Sequence, residues 1–159
     1  MNRSLKLGLA ALCSVTVVYV TQAQNGPQTP QQQAEKAVKT RQGLFDVQAF
    51  AFGPVGAMLK GAPFDAALVQ KQATRIQTTA GMIPEVFALD TRKYPVTTQA
   101  REAVWTNKSD FDQKAKNLQS LAAELETAAK AGDRGATLKA AEAVGKACGN
   151  CHDDYREKH

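Results

Sequence analysis

Apolar residues recur along this chain at helical spacing, and no stretch alternates with the period of two that a half-buried strand requires. Val38, Phe45, Phe52 and Leu59 stand seven residues apart, one buried stripe on a helix. Ahead of them, Thr29-Pro30-Gln31-Gln32 has the form of a capping box with proline at the first helical position. Gly61 offers a stop, so the pattern predicts a first helix from 30 toward 60. Gly53-Pro54 falls inside it and predicts a kink or brief break, because proline lacks the amide donor and crowds the carbonyl four residues back. A second helix starts at the N-cap Asp65, with Phe64 and Val69 able to staple across it. It turns Leu68, Ala73, Ile76 and Ala80 inward and is expected to end at Gly81. Residues 82–98 hold Pro84 and Pro95 and show no clean period. That is long for a bundle connection and reads as a cover for a cofactor, closed by a short helical piece at 100–105. The third helix begins near Ser109 and carries Phe111, Ala115, Leu118, Ala122, Leu125 and Ala129, alternating by four and three. Gly132 ends it, and Asp133 caps a fourth whose inward sector is Leu138, Ala141, Val144, Gly145, Cys148, His152 and Tyr155. Four amphipathic helices and no strands predict an all-α fold, an antiparallel four-helix bundle.

The last helix changes the picture from architecture to chemistry. Cys148-Gly149-Asn150-Cys151-His152 is a C-x-x-C-H motif, the attachment signature of a c-type haem. Two thiols add to the two vinyl groups of the macrocycle, and the adjacent imidazole ligates its iron. At about 100° per residue, Cys148 and His152 lie about 40° apart and Cys151 falls on the same side, so all three can face one macrocycle. A bare C-x-x-C also occurs in zinc sites and thioredoxin-like redox pairs. Zinc wants four ligands, and beyond the motif the only other candidate of the usual kind is His159. A thioredoxin-like site wants a βαβ setting, which the pattern lacks.

Charge and cysteine usage bound the setting. Arg3 and Lys6 precede an apolar run at 7–20, and Thr21-Gln22-Ala23 offers a cleavage site, so 1–23 reads as a cleaved signal peptide and 24–159 as the mature domain. About 14 apolar residues fall short of the roughly 20 that span a bilayer, so no membrane anchor is expected. Export predicts a periplasmic location. Cys13 lies in the signal, so both mature cysteines belong to the motif and none is left for a disulfide. Cleavage lowers Lys+Arg from 20 to 18 against 15 Asp+Glu, a formal charge of +3 instead of +5. So mild and mixed an excess reads as ordinary solvated surface and does not argue for nucleic acid, so no nucleic-acid partner is expected.

The sixth iron position can be narrowed by counting. His159 is seven residues beyond His152, about 10 Å along the helix and on the same side of the ring. Only Met58 and Met82 could supply a thioether, and both also suit core filling. A five-coordinate iron is the leading reading; a low-spin His/Met electron carrier is the alternative.

The chain resembles cytochrome c′ over nearly all of its mature length. The segments that carry the likeness are Ala37-Val38-Lys39-Thr40-Arg41-Gln42, Gly56-Ala57-Met58-Leu59-Lys60-Gly61, Pro63-Phe64-Asp65-Ala66 and Val144-Gly145-Lys146-Ala147-Cys148 leading into Cys151-His152-Asp153-Asp154-Tyr155-Arg156. The resemblance implies one covalent haem c on Cys148 and Cys151, with His152 as axial iron ligand. It implies Phe45 over the distal face, Arg41 and Gln42 near the haem edge, Arg156 beside the proximal pocket and Gln99 as a further contact. The loop before Trp105 is longer than the family's and lacks its Gly-Pro-Gly run, and Pro54 is unusual for it. The resemblance also implies a homodimer through the first two helices, where Val47 and Phe50 supply extra apolar surface. An apolar distal wall offers no donor to a bound ligand and predicts a preference for NO and CO over O₂. Electron exchange with a redox partner is the second function. Peroxidase chemistry, which wants a distal acid–base group, is not expected, and the chain is not read as an enzyme.

Overall fold

The computed structural model describes residues 27–158; the segment read as a signal peptide, Cys13 and His159 lie outside the described residues. Helix α1, Pro30–Leu59, opens with the expected capping box: Thr29 Oγ1 accepts from the Gln32 amide at 3.2 Å and Gln32 Oε1 from the Thr29 amide at 2.9 Å. It runs through Pro54 without the expected break. Proline removes the amide that would have served the carbonyl of Phe50. Phe50 lies at the surface, where water can serve that carbonyl instead, while Ala51, Val55 and Met58 bury the opposite side of the same turns.

Helix α2, Ala66–Val86, starts at Asp65, whose Oδ1 accepts from the Leu68 amide at 2.9 Å. It does not end at Gly81. Its buried stripe of Val69, Ala73, Ile76 and Ala80 continues to Ile83, and that packing carries the helix past Gly81 and through Pro84. Gly81 instead allows a close approach: a Cβ there would stand 2.7 Å from the side-chain amide of Gln119 on the facing helix. The one-turn helix α3, Ala103–Thr106, leads into α4, Lys108–Lys130, and α5, Arg134–Tyr155. Gly61 and Gly132 take positive φ (100° and 75°) and make the two tight turns the pattern predicted. Asp133 caps α5 by accepting from the Ala136 amide at 2.9 Å.

The four long helices form an antiparallel bundle. α2 packs closely on α4, α4 on α5 and α1 on α2, whereas α1 only grazes α5. The connection between α2 and α3, 87–102, is therefore shifted from the expected 82–98, and it does cover one end of the bundle. Phe87 is buried against Phe111, Trp105 and Phe45, with ring centroids 4.9, 6.4 and 6.1 Å away. Its carbonyl accepts from Trp105 Nε1 at 3.3 Å. The far end of the connection is pinned to α5: the Arg101 amide donates to the Tyr155 carbonyl at 3.0 Å and the Glu157 amide to the Gln99 carbonyl at 2.9 Å, around an antiparallel bridge between Ala100 and Arg156.

Candidate haem site on the last helix

Helix α5 carries the motif residues, with Cys151 near the Lys114 and Asp110 charges of α4. Cys148 and Cys151 are half-buried, unbridged and packed against the core cluster. Burial pushes both thiols up, Cys151 to about 11 with the Lys114 charge opposing. A catalytic dithiol needs the reverse, a thiol shifted down toward thiolate, so the redox-pair reading loses its support. No group of three or more His, Cys, Asp or Glu is placed to hold a metal ion among the described residues.

His152 departs from the expected inward sector and is exposed, although Ala141, Val144 and Tyr155 of that sector are buried. The reason is the spacing of the helices. His152 and Gly145 fall within about 20° of each other on α5, on the rim turned toward α1, and α1 packs less closely on α5 than on α2. Partial desolvation and then the Arg156 charge lower the pKa of His152, with Asp153 opposing. The net shift favours the neutral ring, the form that can ligate iron.

One contact fixes the register of the two helices. The Phe52 ring rests over Gly145, its Cζ 3.2 Å from where a Cβ would stand. The helices are antiparallel, so moving back along α1 matches moving forward along α5. Phe45, seven residues before Phe52, is then level with His152, seven residues after Gly145. Gln48 is level with Gly149, and Arg41 with Arg156. A groove of about 630 Å³ opens between the two helices on the other side of the Phe52–Gly145 contact, lined by Phe52, Gly56, Lys60, Glu142 and Gly145, and none of the motif residues lines it. Two half-buried thiols and an exposed imidazole on α5, with an aromatic side chain of α1 level with the imidazole, are a donor set that fits a covalently attached haem.

The remaining predicted residues take particular places. Phe45 is half-buried and leans on Phe87. Arg41 is not a solvated surface arginine: it is 4% exposed. Its Nε donates to the Val86 carbonyl at 2.9 Å, Nη1 to Thr91 Oγ1 at 3.0 Å and Nη2 to the Leu89 carbonyl at 2.6 Å. The guanidinium also lies 4.6 Å from the Phe87 ring centroid. It thus ties α1 to the covering loop, with two of its five N–H donors uncommitted by these bonds. Arg156 and Gln99 meet, Nε donating to Oε1 at 3.0 Å. Gln42 is exposed on α1. Met58 is buried near the far end of α1, and Met82 is 44% exposed on α2. Sequence reasoning missed Phe87 and Thr91, which sat in a segment without periodicity. It also missed Gln48, a polar residue in phase with the buried stripe of α1.

The comparisons agree with this geometry. The sequence profile of the family described as Cytochrome C' matches residues 36–156. Cytochrome c' of Cereibacter sphaeroides is 37% identical over 79% of this chain and 85% of its own length. The solved cytochrome c prime of Shewanella frigidimarina superposes with a TM-score of 0.73 at 36% identity, over 79% of this chain and 97% of that one. A nitric oxide complex of a mutant cytochrome c prime from Alcaligenes xylosoxidans does so at 0.70 and 33%, with the same coverage. From its profile, its relatives and its bundle, the chain belongs to the cytochrome c′ family, whose members carry one covalent haem c.

Proposed function

We propose that this chain is a periplasmic, exported haem protein that binds nitric oxide and carbon monoxide at an iron ligated by His152 on one side and open on the other, and that it also exchanges single electrons. When bound, the haem supplies an iron that cycles between ferric and ferrous states and accepts a small ligand. The protein does the rest. Cys148 and Cys151 would hold the macrocycle as thioethers, each S–H adding across a vinyl group with no leaving group. His152 presents a neutral ring nitrogen. Phe45 covers the opposite side and must yield to an entering ligand. Arg41, Gln42, Arg156 and Gln99 border the edge, where arginine donors suit propionates.

The observation that carries this reading is the level shared by His152 and Phe45 across the α1–α5 gap. The α1 residue level with His152 is an aromatic side chain, which supports a sixth position without a protein ligand. Met58 lies thirteen residues further along α1, about 20 Å away, and Met82 turns to solvent. His152 is the only histidine among the described residues. The nitric oxide complex of a relative of the same fold supports the choice of ligand.

The test is the absorption spectrum of the ferrous protein, matured in a host that attaches haem c, with and without NO. A broad high-spin band that shifts on adding NO is expected, with a protein mass that includes the haem. Sharp split low-spin bands that NO leaves unchanged would refute the open site.

A further inference from the structure

The distal wall is not wholly apolar. On α1 the buried or half-buried positions Arg41, Phe45, Gln48, Phe52 and Val55 follow one another at intervals of four and three, and Gln48 lies near the middle of that inward arc. Its Nε2 is fully shielded from solvent and has no hydrogen-bond partner, the one such side-chain nitrogen or oxygen among the described residues. A shielded amide without a partner forfeits its hydration and receives nothing in return. A leucine here would fill the stripe without that cost, so the amide needs another explanation. The Phe52–Gly145 contact puts Gln48 level with Gly149, between the two cysteines and one turn along α1 from Phe45. The unpartnered donor therefore lies on α1 at the level of the two cysteines, one turn from Phe45 and shielded by protein atoms.

We propose that the side-chain amide of Gln48 donates a hydrogen bond to a small ligand held on the distal side of the haem, so that the pocket recognises ligands with partial negative charge on their outer atom. This deepens the reading of an open distal site and rests on it. It revises the expectation of a wall without a donor. Phe45 supplies the steric gate, and Gln48 the polar contact that a ligand meets once Phe45 has moved. O₂, whose bound form carries more negative charge than CO, gains most from such a contact.

The experiment uses the ferrous holoprotein and carbon monoxide as probe, comparing the parent with Gln48→Leu and Gln48→Asn by infrared spectroscopy and CO dissociation kinetics. A donor near the outer atom lowers the C–O stretch. Gln48→Leu is expected to raise that frequency and to speed CO release by about twofold to tenfold, the worth of one net hydrogen bond. Gln48→Asn, which keeps the donor but shortens its reach, is expected to fall between. The apolar variant should fold at least as well as the parent, since it removes a shielded amide; should it fail to take up haem, the Asn variant still reports the frequency. An unchanged stretch across the variants, with CO bound normally, overturns the role of Gln48 and leaves the open site standing. A parent protein that binds no CO at all overturns both.

Discussion

At the scale of the residue, Arg41 is a buried side chain on which several contacts converge. Three of its donors meet acceptors on the segment that leaves α2, and two aromatic rings lie against its plane. Burial lowers its pKa, with the Asp90 charge opposing, but a guanidinium keeps its proton in either case. Replacing it strands two carbonyls and a hydroxyl in a dry environment. Arg41→Leu is expected to cost about 2–4 kcal/mol in denaturant unfolding, and Arg41→Lys to recover little, because an ammonium cannot match the planar fork. Tyr155 is the second such residue. Its hydroxyl donates to Asp110 Oδ2 at 2.6 Å, and burial first, then that bond, raises its pKa. A raised folded pKa contributes stability that is complete below the unfolded value, about 10, and is lost as pH climbs through the folded one. The parent should weaken in urea as pH rises above about 10, and Tyr155→Phe should lack that alkaline decline.

At the scale of the element, α1 and α2 each tolerate an internal proline. In α1 the cost is a missing hydrogen bond under an exposed residue, in a helix whose other side is well packed. Pro54→Ala is therefore expected to stabilise the fold by about 1–3 kcal/mol, read from the shift in unfolding midpoint, with the haem spectrum unchanged. A loss of stability would show that the helix bends at Pro54 in a way the packing depends on. Gly81 makes the complementary point. A glycine inside a helical pattern is either a stop or a close approach, and local chemistry does not separate the two. The continued burial of Ile83 and the nearness of Gln119 do.

At the scale of the whole molecule, the outer face of α1 and α2 is the part left over. Phe50 is 67% exposed and Val47 48%, beside a shallow cleft lined by Lys71, Thr74, Arg75 and Thr78, with the Arg75 guanidinium 5.8 Å from the Phe50 ring centroid. The dimer expected from the family resemblance would cover this face. Phe50→Lys should shift sedimentation toward monomer at concentrations where the parent self-associates; a parent that stays monomeric at high concentration would remove the dimer. No helix among the described residues is long and apolar enough to cross a membrane.

What one chain of letters settled here was whatever depends on neighbours within a turn or two. The caps Thr29, Asp65 and Asp133, the turns at Gly61 and Gly132, the heptad of α4 and the triad of Cys148, Cys151 and His152 are local. Their meaning is carried by spacing and side-chain chemistry alone. The distances between helices are not local. His152 is exposed on the rim of α5 turned toward α1, and the antiparallel register sets Phe45 level with it. Burial turns Arg41 into a tie to the covering loop and Gln48 into an amide without a partner. These follow from how four stripes pack against one another, a balance of shape and burial summed over the whole core that no single segment encodes.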